Sequence, residues 1–220
     1  MRSRLVMILA VVLAAAAVSV TGVRLARSSP TPRVAVHATL APNLASYLGV
    51  FEPGAPPAYG AIARFTQAAG RQPNLLGYYS GWAEPFDTQF ARMIRKHGII
   101  PFVQIDPTDA SVAQIAAGTY DDYLRSYADS VQDYGHAVVI GFGHEMNAHW
   151  YSWGYGHVPP STFVAAWRHI VTLFRQEGAD NVTWLWTIQA DAAGTGPIAS
   201  WWPGTQFVTW VGIDGYYYRP

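Results

Sequence analysis

The chain contains no cysteine and few charged residues, and both shortages exclude classes of protein. Without cysteine, its 220 residues can hold neither a disulfide nor a thiolate metal site. Charged residues make up 13% of the chain, and 14 basic residues balance 14 acidic ones, for a formal net charge of +0. This balance gives no reason to expect nucleic acid or an anionic surface as a partner. The length suits one domain of moderate size.

Aromatic residues, by contrast, are abundant. They make up 14% of the chain, with Trp 9 and Tyr 13. Flat aromatic rings are good surfaces for stacking sugars, but a large α/β core would use the same residues for packing. Composition alone leaves both interpretations open.

The N-terminal residues have the pattern of a secretory leader. Two arginines precede an uncharged apolar stretch over residues 5–23. This stretch approaches the ~20 residues that span a bilayer, so residues 1–27 are predicted to be either a signal peptide or an uncleaved signal anchor. Residues 28–43 contain prolines and serines typical of a linker. We therefore expect residues 44–220 to form the folded domain of a secreted or membrane-anchored protein that faces the cell exterior.

From residue 44 onward, short apolar runs alternate with helical patterns, which indicates parallel βα units. Six strands are predicted, at 48–53, 75–82, 99–106, 137–146, 181–189 and 207–216. Four helices are predicted, at 58–70, 86–98, 119–135 and 159–178.

The number of units predicts an incomplete (β/α)8 TIM barrel with about six βα units present and strands seven and eight missing. Periodicity alone would also allow an open, doubly wound sheet. The barrel is favoured because polar and aromatic residues gather at the carboxyl ends of the predicted strands, where barrel enzymes have their active sites. These residues are Glu52, Trp82, Asp106, Glu145 and Asp214.

The stretch GFGHEMNAHW, at residues 141–150, contains a His-Glu pair that raises the question of a zinc site. A zincin needs His-Glu-x-x-His, which places two ligands one turn apart on a helix. Here His149 follows His144 by five residues, and the preceding AVVIGFG is strand-like. Spacing and local structure therefore disfavour zinc, and we expect no metal and no cofactor.

Glu145 has two other interpretations. It could be a solvated residue at the end of a strand, beside a core histidine. Alternatively, four aromatic residues within ten positions could dehydrate its carboxyl group and raise its pKa toward that of a general acid. A glycosidase requires such a protonated carboxylic acid to donate to the leaving oxygen.

The segment HEMNAHWYSWG, at 144–154, resembles the HEMNG-x-W-x-x-W-G signature of glycoside hydrolase family 26, the β-mannanase family of the retaining (β/α)8 clan A. GYYSGW-x-EPF, from residue 77, and WVGIDGY, at 210–216, are similar to the family's second and sixth strand motifs. The resemblance covers about residues 44–220. Ala148 departs from the family's usual glycine.

The resemblance implies a role for each matching residue. Glu145 matches the catalytic acid/base, and His144 matches the residue that lies near the sugar 2-hydroxyl. Trp150 matches an aromatic residue that lines the cleft near the scissile bond. Asp214 and Tyr216 match the Asp-x-Tyr of strand six, in which the tyrosine hydrogen-bonds the nucleophile and the aspartate orders the site.

Two further tryptophans, Trp82 and Trp153, are candidates for the cleft by position only, and packing beneath the loops is an equal alternative. The resemblance implies a polysaccharide partner, β-mannan or a related β-glycan. Mixed-linkage β-glucan and β-1,3-xylan are also substrates within the family, and the sequence does not separate them.

The family's nucleophile is a glutamate at the end of strand seven, and no residue of this chain matches it. We therefore expect a retaining endo-acting glycosidase whose nucleophile is missing from these 220 residues, so that the chain as given is a truncated form that does not cleave mannan. The alternative is a non-catalytic polysaccharide-binding remnant that keeps the aromatic cleft. A protein that is only anchored at the cell envelope has no specific support beyond the leader.

Overall fold

The computed structural model describes residues 46–190 and 194–216, and in these residues six parallel strands form one sheet. The strands pair in sequence order, each with the next. They are β1 (Gly49–Phe51), β2 (Leu75–Gly81), β3 (Ile100–Asp106), β4 (Val138–Phe142), β5 (Val182–Gln189) and β6 (Trp210–Asp214). All six predicted strands are confirmed. The predicted leader and linker, at 1–27 and 28–43, lie outside the described residues.

Five α-helices connect the strands: α1 (Gly60–Ala69), α2 (Thr88–Arg95), α3 (Val112–Ala116), α4 (Asp121–Tyr134) and α5 (Pro160–Gln176). Local chemistry explains several boundaries. The Asp87 carboxylate caps α2 by accepting a 2.8 Å hydrogen bond from the Phe90 amide. Gly135 ends α4 with a φ of 71°, a conformation that favours glycine. Within the described residues, no helix combines the length and apolar character that crossing a bilayer requires.

The core lies between the outer face of the sheet and the helices. Alternate residues of the central strands point outward and are fully buried, such as Leu76, Val103 and Ile140. The helices bury large side chains against them, including Trp167 of α5 and Leu124 of α4. This layer packs the helices onto the outer face of the sheet, and the opposite face lines a cavity.

The sheet curls, and its concave face lines one cavity of about 230 Å³ that is bounded by residues from β1 to β6. Phe51 of β1 and Asp214 of β6 both border it, although these strands lie at opposite edges of the described sheet. Sequential pairing with curling is the geometry of a partial barrel, because a doubly wound sheet reverses its strand order. The prediction of an incomplete (β/α)8 barrel is therefore confirmed.

Several details differ from the sequence-based expectation. The sixth strand was predicted over 207–216 but begins at Trp210 and ends at Asp214, because residues 205–207 form a short 3-10 helix. The fourth strand was predicted over 137–146 but ends at Phe142, because the glycine that follows has a φ of 51° and turns the chain away. The short helix α3 was not predicted, since five residues carry too little periodicity to identify a helix.

Candidate active site

The loop that carries Glu145 leaves β4 with two residues in the left-handed conformation, Gly143 and Glu145. Gly143 has a φ of 51°, and a Cβ there would lie 2.9 Å from the Phe163 ring, so only glycine fits. Glu145 has a φ of 53°, which is uncommon for a residue with a side chain. Its amide donates a 2.9 Å hydrogen bond to the Thr187 carbonyl of β5. Such conformations persist where surrounding structure imposes them, and they cluster at functional sites.

Asn147 connects the same loop to the end of β5 through hydrogen bonds. Its side-chain Nδ2 donates to the Gln189 carbonyl at 3.0 Å, and its Oδ1 accepts from the Gln189 amide at 2.9 Å. Its own carbonyl accepts a 2.7 Å bond from the Gly196 amide. Asn147 is fully buried, so these bonds are shielded from water. The backbone that presents Glu145 is therefore rigidly tied to the strand beside it.

The carboxyl group of Glu145 is buried but only partly satisfied. Glu145 is 3% exposed, and its Oε2 accepts a 2.8 Å hydrogen bond from the Trp150 indole Nε1. Its Oε1 has no hydrogen-bond partner among the described residues. Burial raises the pKa of Glu145, the Trp150 hydrogen bond lowers it, and the nearby Asp214 carboxylate raises it. The result is a buried carboxylic acid with a raised pKa, next to the Asp214 carboxyl group.

Asp214 ends β6 on the same side of the sheet and interacts with Glu145. Burial raises the pKa of Asp214, while the charge of the His144 ring and a hydrogen bond with the Glu145 carboxyl group lower it. Tyr216, two residues further on, is exposed and close enough to raise the pKa of Tyr151. The structure thus brings Asp214 and Tyr216 to the mouth of the partial barrel, around Glu145.

His144 precedes Glu145 and contacts two side chains from different parts of the chain. Its Nδ1 lies 3.1 Å from Oδ1 of Asp106, the last residue of β3. Its Nε2 lies 3.0 Å from the Tyr151 hydroxyl. The Trp153 indole donates a 3.0 Å bond to the His144 carbonyl. Both ring nitrogens and the backbone carbonyl of His144 therefore have partners within the protein.

The three candidate tryptophans occupy different environments. Trp150 is 44% exposed beside Glu145, as expected for a cleft residue. Trp153 is 2% exposed and stacks on Tyr151, with ring centroids 4.4 Å apart. This position matches the packing alternative, because a buried ring has no face left for a sugar. Trp82 follows β2, and its ring packs among Tyr120, Tyr123 and Phe142.

Three residues of the site were missed as candidates by the sequence analysis. Tyr79 of β2 lines the cavity, and burial, then the charges of Asp106 and Asp214, raise its pKa. Asp106 was noted only as a residue at the end of a strand. Tyr151 lies next to the motif's Trp150, and this adjacency was the one available signal. Contacts between residues 38 positions apart, such as His144 with Asp106, have no signature in the sequence.

The two histidines of the zinc hypothesis have separate partners. His149 Nδ1 lies 3.1 Å from the Gly194 carbonyl, whereas His144 contacts Asp106 and Tyr151. Within residues 46–190 and 194–216, no cluster of three or more histidine, aspartate or glutamate side chains is arranged to hold a metal ion.

Known proteins with similar sequences are glycosidases. Residues 105–219 match the model of glycosyl hydrolase family 26. Endoglucanase H of Acetivibrio thermocellus is 30% identical over 170 residues, which are 74% of this chain and 19% of that protein. A mannan endo-1,4-β-mannosidase of Caldalkalibacillus mannanilyticus is 27% identical over 108 residues, 45% of this chain and 20% of that protein. The chain thus spans about a fifth of the length of these relatives.

Solved structures show the same fold. A Bacillus subtilis mannanase superposes with a TM-score of 0.63 at 19% identity, over 77% of this chain and 63% of that one. The YdhT protein of Bacillus subtilis gives 0.64 at 19% identity, over 77% and 62%. The matched segment 105–219 holds more than half of the chain, including the loop of Glu145. The chain therefore belongs to glycosyl hydrolase family 26.

Proposed function

We propose that this chain is the acid/base-bearing part of an endo-acting hydrolase of β-mannan or a related β-glycan. The observation that carries the proposal is the state of Glu145, a buried carboxyl group whose pKa is raised and whose Oε1 has no partner among the described residues. A carboxylic acid in this environment holds its proton near the working pH and can release it to a departing oxygen.

In the proposed mechanism, Glu145 first donates its proton to the glycosidic oxygen as the bond to the anomeric carbon breaks. The resulting carboxylate then takes a proton from the water that releases the sugar, so the group returns to its starting state. We assign this transfer to Oε1, because Oε2 accepts the hydrogen bond from the Trp150 indole. The exposed Trp150 ring gives the sugar beside the scissile bond a surface to stack on.

A retaining reaction also needs a nucleophilic carboxylate about 5–5.5 Å from the acid. We assign this group to a residue outside the 220 residues, as the resemblance implies. Asp214 has a different role in the proposal, since its negative charge raises the pKa of Glu145 and so favours the protonated acid. Two observations support a larger catalytic barrel. The matched segment is only 19% of the length of endoglucanase H, and the described sheet has two edge strands, β1 and β6, whereas a closed barrel has none.

The substrate is proposed from the relatives' names, which include an endoglucanase, two β-1,3-xylanases and a β-mannosidase. The test is release of reducing sugar from β-mannan, mixed-linkage β-glucan and β-1,3-xylan. The 220-residue chain should release none, while a protein that continues through the coding sequence after Pro220 should cleave mannan. Release by the 220-residue chain, abolished by Glu145→Gln, would contradict the assignment of the nucleophile. Binding without cleavage by both proteins would favour the non-catalytic alternative.

We also propose that the protein is exported, either secreted or held at the membrane by its N-terminal segment. The support is the arrangement of two arginines before the apolar residues 5–23. Fractionation of producing cells, with N-terminal sequencing of the exported product, tests the proposal. Recovery of the intact protein only inside the cell would contradict it.

A further inference from the structure

His144, a residue predicted to bind substrate, has no ring nitrogen available for it. Both nitrogens lie within hydrogen-bond distance of protein atoms, Asp106 Oδ1 at 3.1 Å and the Tyr151 hydroxyl at 3.0 Å. The ring is buried, with Tyr151 and Trp153 packed against it at 4.8 and 5.9 Å between centroids. A sugar hydroxyl could reach the imidazole only by displacing one of these partners.

The identity of the partners sets the direction of the hydrogen bonds. A carboxylate oxygen accepts but cannot donate, so the proton between His144 and Asp106 belongs to Nδ1. In the neutral ring the other nitrogen, Nε2, is then an acceptor, and the Tyr151 hydroxyl must donate to it. Burial and the surrounding acidic groups raise the pKa of Tyr151 to about 12, so this phenol keeps its proton at neutral pH.

The direction of these two hydrogen bonds decides whether the Tyr151 hydroxyl donates to a ligand or accepts from it. With its proton committed to His144, the oxygen has lone pairs only and acts as an acceptor. Tyr151 is half-buried, and its ring centroid lies 4.8 Å from that of His144, which lines the cavity, and 6.4 Å from that of the exposed Trp150. A sugar hydroxyl next to the scissile bond could donate to it.

We infer that Asp106, His144 and Tyr151 form a directional hydrogen-bond chain that fixes His144 as its neutral Nδ1–H tautomer and makes the Tyr151 hydroxyl an acceptor for a sugar hydroxyl. Asp106 and His144 are then positioning residues, and Tyr151 is the group that meets the substrate. The part that concerns the sugar rests on the proposed function, whereas the tautomer does not.

The tautomer is tested by ¹⁵N NMR of the imidazole rings of the 220-residue chain at neutral pH, with His144 assigned through its backbone. The expected result is a protonated, pyrrole-type Nδ1 and an unprotonated, pyridine-type Nε2. A protonated Nε2, whether Nδ1 is bare or also protonated, would overturn the inference, because Nε2 would then donate to Tyr151. Asp106→Ala should mix the two tautomers, whereas Asp109→Ala, an exposed aspartate of the same loop, should leave the spectrum unchanged. A pure Nδ1–H tautomer in Asp106→Ala would also contradict it.

The role of Tyr151 is tested by the affinity for mannohexaose, measured by calorimetry. Tyr151→Phe should weaken binding about three- to tenfold, the effect of losing one hydrogen bond. Tyr155→Phe, which removes a hydroxyl from the same loop, should have no effect. Unchanged affinity in Tyr151→Phe would overturn the acceptor role. Failure of the wild-type chain to bind any β-glycan oligosaccharide would overturn that role together with the proposed substrate class, while the NMR result would still decide the tautomer.

Discussion

The indole nitrogen of Trp150 donates a 2.8 Å hydrogen bond to Oε2 of Glu145. This bond favours the ionised carboxylate and so opposes burial, which raises the pKa of Glu145. The two effects together leave the group able both to give and to take a proton. Trp150 thus has two roles in this account: its indole N–H helps to set the pKa of Glu145, and its ring would stack on the sugar beside that carboxyl group.

Removing the indole N–H should raise the pKa of Glu145 further. In Trp150→Phe the ring is kept but the donor is lost, so the carboxylate loses the bond that stabilises it. The pKa can be measured from the ¹³C shift of the Glu145 carboxyl carbon as a function of pH. Trp202→Phe, at a half-buried tryptophan that packs on Trp186, is the control. An unchanged or lowered pKa in Trp150→Phe would contradict this account.

Replacing the buried acid should stabilise the fold at neutral pH. The pKa of Glu145 is raised in the folded state, so its ionisation opposes folding. Its stabilising protonated form is fully present below the ordinary value of 4.5 and is lost as the pH rises through the folded pKa. Glu145→Gln should therefore have a higher free energy of unfolding than the wild type at pH 7.

The stability difference should shrink as the pH falls through the folded pKa of Glu145, and it should reach its smallest value below about 4.5. Urea denaturation at both pH values measures it. Glu84→Gln, at an exposed glutamate, should show no comparable pH-dependent gain. A Glu145→Gln variant that is less stable than the wild type at pH 7 would show that the ionised carboxylate is satisfied by contacts other than the Trp150 indole.

The interior of the partial barrel should not tolerate a methyl group at Gly141. A Cβ there would overlap Gln104 Oε1 and lie 3.2 Å from the Leu185 carbonyl. Gln104 is buried, so it cannot move aside into solvent. We expect Gly141→Ala to lower the free energy of unfolding by about 1–3 kcal/mol.

The matched control for this glycine is Gly60→Ala, in the first turn of α1. A Cβ at Gly60 would meet only Arg64, at 3.7 Å, so the substitution should be neutral or slightly stabilising. Equal free energies of unfolding for Gly141→Ala and the wild type would show that Gln104 and Leu185 can shift to accommodate a methyl group.

Self-association of the 220-residue chain should depend on β6. Within the described residues, β6 pairs with β5 alone, and its outward-pointing Val211 and Ile213 are 55% and 69% exposed. An exposed apolar edge strand promotes pairing between chains, and lysine on such an edge prevents it. Val211→Lys combined with Ile213→Lys should shift the chain toward monomer in sedimentation velocity. A monomeric wild type at high concentration would contradict this expectation.

The sequence predicted the strands because buried parallel strands are continuous apolar runs bounded by glycine and proline. It also predicted that Glu145 and Asp214 would meet at one end of the sheet, since the carboxyl ends of parallel strands share an edge. The sequence did not predict the details of side-chain packing. The burial of Trp153 beneath Tyr151 and the pairing of His144 with Asp106 depend on loop conformation, which in turn depends on the left-handed backbone at Glu145.

The most direct test of the central claim is chemical rescue of Glu145→Ala in the mannan-cleaving protein proposed above, which extends beyond Pro220. An acid/base variant should lose about 10²–10⁴-fold in the hydrolysis of β-mannan, because general acid–base catalysis contributes about that factor. Cleavage of an activated aryl β-mannoside, whose leaving group needs no proton, should be restored by azide, which attacks the anomeric carbon in place of water and yields the β-mannosyl azide. A Glu145→Ala variant that cleaves mannan at the wild-type rate, or that azide leaves unchanged, would contradict the assignment of Glu145 as the acid and base.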